Sequence, residues 1–179
     1  MDYLKILREN PDLAEEFDSL FDFFLLDELS PRDDAEGRCT FSMPGMAFAR
    51  DGSGGEYHLL EDGSIGYYSS EGEAGRLAES MDDLFSLIVS CICWHDCCDA
   101  KQYVDSKTLE EYGQRQRNTN LEDMDSLRRV SDALGIPTGE PLAPVLERFR
   151  KATQREPVYQ CIFHEDDGSL TESYGLMFE

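Results

Sequence analysis

The stretch from Cys91 to Cys98 holds the residues of this sequence best suited to chemistry. Within eight residues it carries four cysteines and one histidine, in the order Cys91-Ile92-Cys93-Trp94-His95-Asp96-Cys97-Cys98. Thiolates and imidazoles are the ligands that zinc prefers. The spacing does not suit zinc, because one helix cannot turn four such ligands towards a single ion. No distant Cys-x-x-Cys pair completes a set, since Cys39 and Cys161 stand alone.

Helical spacing offers a second interpretation of the same stretch. At about 100° per residue, a helix from Ser80 through Cys98 gathers one largely apolar face, made of Leu84, Leu87, Ile88, Cys91, His95 and Cys98. Buried cysteine behaves as a small apolar residue. The sequence therefore favours core packing, with no metal and no cofactor, and zinc is left as the alternative.

The glycine-rich run Gly52-Ser53-Gly54-Gly55 lacks the other features of a phosphate site. No lysine follows it, no third spaced glycine completes a dinucleotide fingerprint, and the next predicted element is a strand. It also differs from the Gly-x-Ser-x-Gly of a nucleophile elbow. Asp51, Ser53 and Glu56 offer oxygens to calcium, but with fewer carboxylates than an EF-hand loop. A solvated turn is the simpler interpretation.

The histidines give no catalytic signature either. His58, His95 and His164 have no partner nearby in the sequence that identifies a triad. No nucleic-acid-binding module and no basic stripe is present. We therefore predict that the protein is not an enzyme, and a small enzyme with unrecognised motifs stays as an alternative.

Two turns organise the centre of the chain. Residues 51–55 and the dipeptide Asp62-Gly63 separate three short apolar runs, and the runs alternate with a period of two. This pattern predicts a three-stranded antiparallel meander over about 43–69. The glycines expected to shape its turns, where a positive φ is needed, are Gly52, Gly54, Gly55 and Gly63. Asp62-Gly63 is expected to form a two-residue type I′ hairpin.

Helices are predicted on both sides of the meander. The first two cover 2–9 and 11–29, divided at Pro11, and the second carries an apolar stripe of Leu13, Phe17, Leu20, Phe21 and Phe24. A polar loop over 30–37 follows. Ser80 and Asp83 form a capping-box-like pair, so a helix should begin there and open a helical region of about 80–153.

The end of this helical region is patterned more clearly than its middle. Residues 101–118 are polar and ambiguous. A helix from Leu121 to Leu134 would be capped by Asn118 or Asn120, end at Gly135, and bury Leu121, Met124, Leu127, Val130 and Leu134. Another helix should cover 141–152, with Leu142, Val145, Leu146 and Phe149 facing inward.

A second hairpin is expected at the C-terminal end, over 158–178, around Asp166-Asp167-Gly168. With 179 residues, the chain is long enough for one domain with a substantial core. We therefore predict a single α+β domain over 1–179. Its centre is an antiparallel sheet with flanking helices and a C-terminal hairpin.

Part of this pattern resembles the SUKH superfamily. The similar features are the run from Phe48 to Tyr57, the hairpin after it, and a loop that ends in Ala78-x-Ser80 before Leu84-Phe85. They cover roughly residues 46 to 93. The family is widespread among bacterial immunity proteins and includes fungal cell-wall regulators. The resemblance implies a SUKH-like fold and a non-enzymatic protein that binds and neutralises a toxin.

The formal net charge of the chain is −22, from 38 acidic and 16 basic residues. A field of this size repels nucleic acid and anionic membranes and attracts basic partners. Acidity that only keeps a protein in solution is the simpler interpretation. Residues 101–155 are nearly neutral, so the acidic excess lies in the rest of the chain.

Charge and resemblance together predict a partner that is a basic, nuclease-like toxin domain, occluded by the acidic surface. The residues predicted to bind it are Asp51, Glu61, Asp62 and Glu71 through charge, and Tyr67 and Tyr68 as aromatic anchors. For the tyrosines, packing within the sheet is the alternative. For the whole protein, a regulatory scaffold that binds a host protein is the alternative.

Localisation is predicted from what the sequence lacks. The N-terminus, Met1-Asp2-Tyr3-Leu4-Lys5, has no basic-then-apolar signal pattern, and no run of about 18 apolar residues predicts a membrane span. We expect a cytoplasmic protein whose six cysteines stay reduced.

Overall fold

The computed structural model describes residues 1–32 and 37–178. The chain has mixed α+β architecture, as predicted. Its helices are α1 (Tyr3–Glu9), α2 (Pro11–Phe21), α3 (Met81–Cys91), α4 (Ser106–Asn120), α5 (Met124–Leu134) and α6 (Leu142–Thr153). Its strands are β1 (Phe24–Ser30), β2 (Cys39–Phe41), β3 (Gly45–Arg50), β4 (Glu56–Leu60), β5 (Ile65–Tyr68), β6 (Ala74–Ala78), β7 (Cys161–His164) and β8 (Leu170–Glu172).

The main sheet has five antiparallel strands in the order β1-β3-β4-β5-β6. The predicted meander is its centre, formed by β3, β4 and β5. One face packs on the helices, where Tyr57 meets Phe23 and Tyr67 meets Trp94. This face and the helices enclose the largest hydrophobic core of the protein. The strand β6 was missed, because its sequence Ala-Gly-Arg-Leu-Ala carries no strand-favouring residues and resembles a loop.

The prediction of one helix over 11–29 is wrong. The helix α2 ends at Phe21, because Asp22 adopts a left-handed conformation with φ 51° and ψ 52°. The next residues form β1 at the edge of the main sheet, and Phe23 packs into the core against Phe17. A short apolar run fits a helix and a buried strand equally well, so spacing alone does not separate them.

Four hairpin turns share one design. In the β4–β5 turn, Gly63 N–H donates to the Leu60 carbonyl, and Leu60 N–H donates to the Ser64 carbonyl. This is a three-residue loop that places glycine at positive φ. Equivalent glycines close the other loops, with φ of +92° at Gly54, +82° at Gly63, +90° at Gly72 and +83° at Gly168. The type I′ prediction for Asp62-Gly63 is wrong, because type I′ also needs positive φ at Asp62, which does not have it.

The helix α3 begins as predicted but ends early. Ser80 caps it by accepting a hydrogen bond from Asp83 N–H. The helix ends at Cys91, since Ile92 has a φ of +68°, and two short 3₁₀ turns follow at His95–Cys97 and Ala100–Gln102. The prediction of one helix running through Cys98 is therefore wrong, and His95 and Cys98 do not continue its buried face.

The later helices follow the predicted pattern with shifted starts. The ambiguous stretch over 101–118 belongs mostly to α4. Asp123 caps α5, not Asn118 or Asn120, and Met124 is exposed rather than buried. Gly135 ends α5 at positive φ, as predicted, and α6 buries the four residues expected to face inward.

The C-terminal hairpin forms a second, three-stranded antiparallel sheet in the order β2-β7-β8. This small sheet covers the other face of the main sheet, where Tyr159 and Phe41 pack near His58. Of the predicted polar loop over 30–37, residues 33–36 lie outside the described residues. None of the helices described is both long and apolar enough to cross a membrane.

Candidate functional site

The six residues predicted to bind a partner do not share one surface. Glu61 and Asp62 lie in the β4–β5 turn, whereas Asp51 and Glu71 lie in the two neighbouring turns of the meander. Successive turns of an antiparallel meander lie at opposite ends of the sheet. Tyr67 is buried on the helical side of β5. The predicted residues are thus divided between the two ends of the main sheet and the interior of the protein.

Asp51 organises the β3–β4 turn from inside. Its Oδ1 accepts hydrogen bonds from the Ser53 hydroxyl and from the N–H groups of Ser53 and Gly55, and its Oδ2 accepts one from Tyr67. Burial raises the pKa of the Asp51 carboxyl, but these hydrogen bonds outweigh it and hold the pKa below its usual range. The carboxylate is therefore charged and already engaged.

The aromatic residues beside Asp51 form a linked group. The rings of Trp94 and His95 stack at 3.7 Å, and Trp94 Nε1 donates to the Tyr57 hydroxyl at 3.0 Å. His95 Nε2 lies 3.1 Å from the Tyr67 hydroxyl oxygen. Burial lowers the pKa of His95 although Asp51 favours its charged form. This group ties the 3₁₀ turn after α3 to the sheet.

Asp62 is engaged within the protein as well. Its Oδ1 accepts from the N–H and hydroxyl of Ser64, and its Oδ2 lies 3.3 Å from Arg76 and 2.9 Å from Arg155. Arg76 is only 1 % exposed, and a buried positive charge is costly unless a negative charge lies beside it. The Asp62 carboxylate supplies that charge. Burial of Asp62 opposes ionisation, but Ser64 and the two arginines together lower its pKa.

The remaining predicted residues differ in exposure. Glu61 and Glu71 are exposed. Tyr68 is half-buried, and its ring packs edge-on against Phe41 at 5.4 Å. Their role in partner binding stays a prediction.

A chain of buried, hydrogen-bonded polar side chains lies between the two sheets and was not predicted from the sequence. His58 Nε2 lies 3.1 Å from Glu56 Oε2, and His58 Nδ1 lies 2.6 Å from the Tyr159 hydroxyl. The order carboxylate–imidazole–hydroxyl resembles a catalytic triad. All three side chains are at most 2 % exposed, so no substrate reaches them. No sequence signal links them, because Tyr159 is 101 residues from His58.

The cysteines behave as core residues. All six are free, and five of them are buried, with Cys93 partly exposed. Burial raises the pKa of the Cys93 and Cys98 thiols, which keeps them protonated. No group of three or more potential metal ligands is present within residues 1–32 and 37–178.

An acid-lined cleft, with a volume of about 480 Å³, lies between α2 and the link from α4 to α5. Its lining combines acidic and polar side chains with three apolar ones. The lining residues are Asp12, Glu15, Glu16, Ser19, Leu20, Ile92, Asn120, Leu121, Glu122, Asp123 and Ser126. The acids of α2 recur with i, i+3, i+4 spacing, which places them on one face of the helix. That spacing was the available sequence signal, but only the fold brings the α4–α5 link opposite it.

The carboxylates of the cleft fall into two groups. Glu16 pairs with Arg129, which lowers the pKa of Glu16 through hydrogen bonding, and Asp123 caps α5. Asp12, Glu15 and Glu122 are exposed and make no ion pair within the described part of the chain. These three carboxylates can therefore meet an external cation.

Comparison of the chain with models of known protein families, with curated proteins and with solved structures returned no match.

Proposed function

We propose that this protein is a non-enzymatic binding protein that recognises a basic protein domain. The observation that carries the proposal is the acid-lined cleft, with exposed Asp12, Glu15 and Glu122 around the apolar side chains of Leu20 and Leu121. Lysine and arginine have an apolar stem and a cationic head. A cleft lined by both apolar and acidic side chains complements both parts of such a side chain.

The whole-chain charge supports the same kind of partner. At −22, the protein attracts a basic surface over several ångströms, and this field raises the rate of encounter. The SUKH resemblance implies a toxin as the partner, and the acidic charge of this chain favours a basic, nuclease-like one. Its nucleic-acid-binding surface is rich in lysine and arginine, so covering that surface would exclude nucleic acid. Occlusion of this kind needs no chemical step.

The interior of the protein supports a binding role over a catalytic one. The ionisable groups that form chains, at Asp51–Tyr67–His95 and Glu56–His58–Tyr159, bond to one another and join structural elements. The side chains of the second chain are almost completely shielded from solvent. Both chains therefore serve the fold.

The proposal is tested by a pull-down with the product of the neighbouring gene, followed by measurement of binding kinetics. The double variant Asp12→Lys with Glu15→Lys should weaken binding at least tenfold, because it reverses two exposed charges of the cleft. The matched control is Asp132→Lys with Glu140→Lys, which makes the same change in net charge at exposed residues outside the cleft. An equal loss of affinity in both variants would reject the cleft as the binding site. If the wild-type protein does not bind at all, the proposed partner is rejected.

A further inference from the structure

The contact between the two sheets is partly polar. His58, on β4, has no exposed surface, and its two ring nitrogens meet Glu56 and the Tyr159 hydroxyl. Tyr159 lies just before β7 and belongs to the segment that leads into the small sheet. The imidazole therefore spans from the main sheet to the small one.

The hydrogen bonds of Tyr159 indicate which ring nitrogen of His58 carries the hydrogen. Arg32 Nη1 donates to the Tyr159 hydroxyl oxygen at 3.2 Å and to the Met43 carbonyl at 2.6 Å. Because arginine only donates, the hydroxyl hydrogen is free to point at His58 Nδ1. Nδ1 is then an acceptor, and Nε2–H donates to Glu56. This arrangement holds His58 neutral and in one tautomer.

Charged groups face His58 from several elements. Glu56 comes from its own strand, Arg50 on β3 binds the other oxygen of Glu56 at 2.8 Å, and Arg32 approaches from the segment after β1. Phe41 on β2 packs edge-on against the imidazole at 5.5 Å. Among the residues that the structure describes, a second ring proton would add a cation beside the guanidinium groups of Arg32 and Arg50 and the carboxylate of Glu56. It would also leave the Tyr159 hydroxyl facing two donors, with its own hydrogen unpaired.

A second buried side chain holds the same segment. Arg76, on β6, donates to the carbonyls of Arg155 at 3.0 Å and Pro157 at 3.1 Å. Arg155 itself pairs with Asp62 at 2.9 Å, so among the described residues the lead-in to the small sheet is held by arginine contacts as well as by His58. Arginine keeps its charge at all ordinary pH values. Among these attachments, His58 is the group whose ordinary pKa of about 6.5 lets it respond to mild acid.

We propose that His58 is a proton-sensitive latch, and that mild acidification releases the small sheet β2-β7-β8 from the main sheet. This inference does not depend on the proposed function. In the latched state, burial is the largest influence on His58 and lowers its pKa, with Glu56 opposing. In the released state the imidazole meets water and regains a pKa of about 6.5.

The direction of the pH response follows from the difference in proton uptake between the released and latched states. Below about pH 6.5 the released state binds a proton that the latched state does not, so acid favours release. Between pH 7.5 and 5.5, the ratio of released to latched protein should rise about tenfold. Above pH 7.5 it should be constant.

Hydrogen exchange measured by mass spectrometry at pH 7.5 and pH 5.5, corrected for the intrinsic exchange rate, tests the latch. Peptides covering β2 and β7 should show an opening equilibrium about tenfold larger at pH 5.5. Peptides covering β4 and α3 should not change. Small-sheet protection that is equal at both pH values would overturn the proposal.

Two variants separate His58 from the other histidine near this sheet. His58→Gln retains a donor for Glu56 and an acceptor for Tyr159 but does not titrate, so its small sheet should not respond to pH. His164, on β7, is exposed and lies 3.0 Å from Thr40 Oγ1, so His164→Gln is the matched control and should keep the wild-type response. A pH response that persists in His58→Gln and is lost in His164→Gln would overturn the proposal.

If His58→Gln does not fold, the wild-type protein still decides the question. Nitrogen-15 NMR of the imidazoles should show His58 neutral with hydrogen on Nε2 at pH 7.5. Its protonation should proceed in step with the loss of small-sheet protection. Protonation of His58 without that loss would overturn the latch.

Discussion

The Tyr67 hydroxyl donates a 2.5 Å hydrogen bond to Oδ2 of Asp51, so two residues predicted to meet a partner are bonded to each other inside the protein. Gly55 allows this approach, because a Cβ there would lie 2.1 Å from the Tyr67 hydroxyl oxygen. The hydrogen bond fixes the β3–β4 turn on the neighbouring strand β5. It gives both side chains a structural role.

Tyr67→Phe should therefore destabilise the protein by about 1–3 kcal/mol, since it leaves the buried Asp51 carboxylate short of one donor. Urea unfolding followed by the fluorescence of Trp94 measures this. Tyr174→Phe is the control, because Tyr174 is 76 % exposed. Equal stability of the two variants would show that the hydrogen bond contributes nothing.

Removing the carboxylate of Asp62 should destabilise the fold by about 3 kcal/mol, because it leaves Arg76 as a buried charge without its acidic partner. The variant is Asp62→Ala, and thermal or urea unfolding measures its stability. Glu61→Ala changes the adjacent exposed acid and should stay within about 0.5 kcal/mol of wild type. A small effect at Asp62 would mean that Arg76 is satisfied by its carbonyl and hydroxyl partners alone.

Gly63→Val should cost about 1–3 kcal/mol through backbone strain, because Gly63 has a φ of +82°. No atom lies within 4 Å of a Cβ built at Gly63 or at Gly139, so neither variant introduces a clash. Gly139 does not have positive φ, so Gly139→Val is the matched control. Thermal melts that coincide for the two variants would contradict the turn assignment.

The free cysteines should remain thiols without metal. Thiol titration of the denatured, reduced protein should give six groups, and in the native protein Cys93 should react first because it is the most exposed. Native mass spectrometry gives the metal content independently. A stoichiometric zinc ion that survives dialysis would contradict this expectation.

Sequence reasoning succeeded where local chemistry decides the structure. The meander, the Ser80 cap, the positive φ of Gly63 and the end of α5 at Gly135 all follow from a few neighbouring residues. It failed where long-range contacts decide. The run after Phe21 becomes β1 because it pairs with β3.

The candidate site was harder to predict than the fold. The cleft joins α2 to the α4–α5 link, about 100 residues apart in sequence, and its charges do not differ locally from the other acids of the chain. Asp51 and Asp62 looked available for a partner because their buried donors, Tyr67 and Arg76, could not be located without the fold. The basic partner expected from the charge composition stays a prediction, and the position of the cleft could be found only from the fold.

The association rate with the neighbouring gene's product, measured at several salt concentrations, tests the central claim most directly. We expect fast binding at low salt and a marked slowing as the Debye length falls from about 10 Å at 0.1 M to about 3 Å at 1 M. Asp12→Lys with Glu15→Lys should lower the association rate and flatten its salt dependence, whereas Asp132→Lys with Glu140→Lys should do much less. Binding that does not depend on salt, or an equal effect of the two variants, would contradict recognition of a basic partner through the acid-lined cleft.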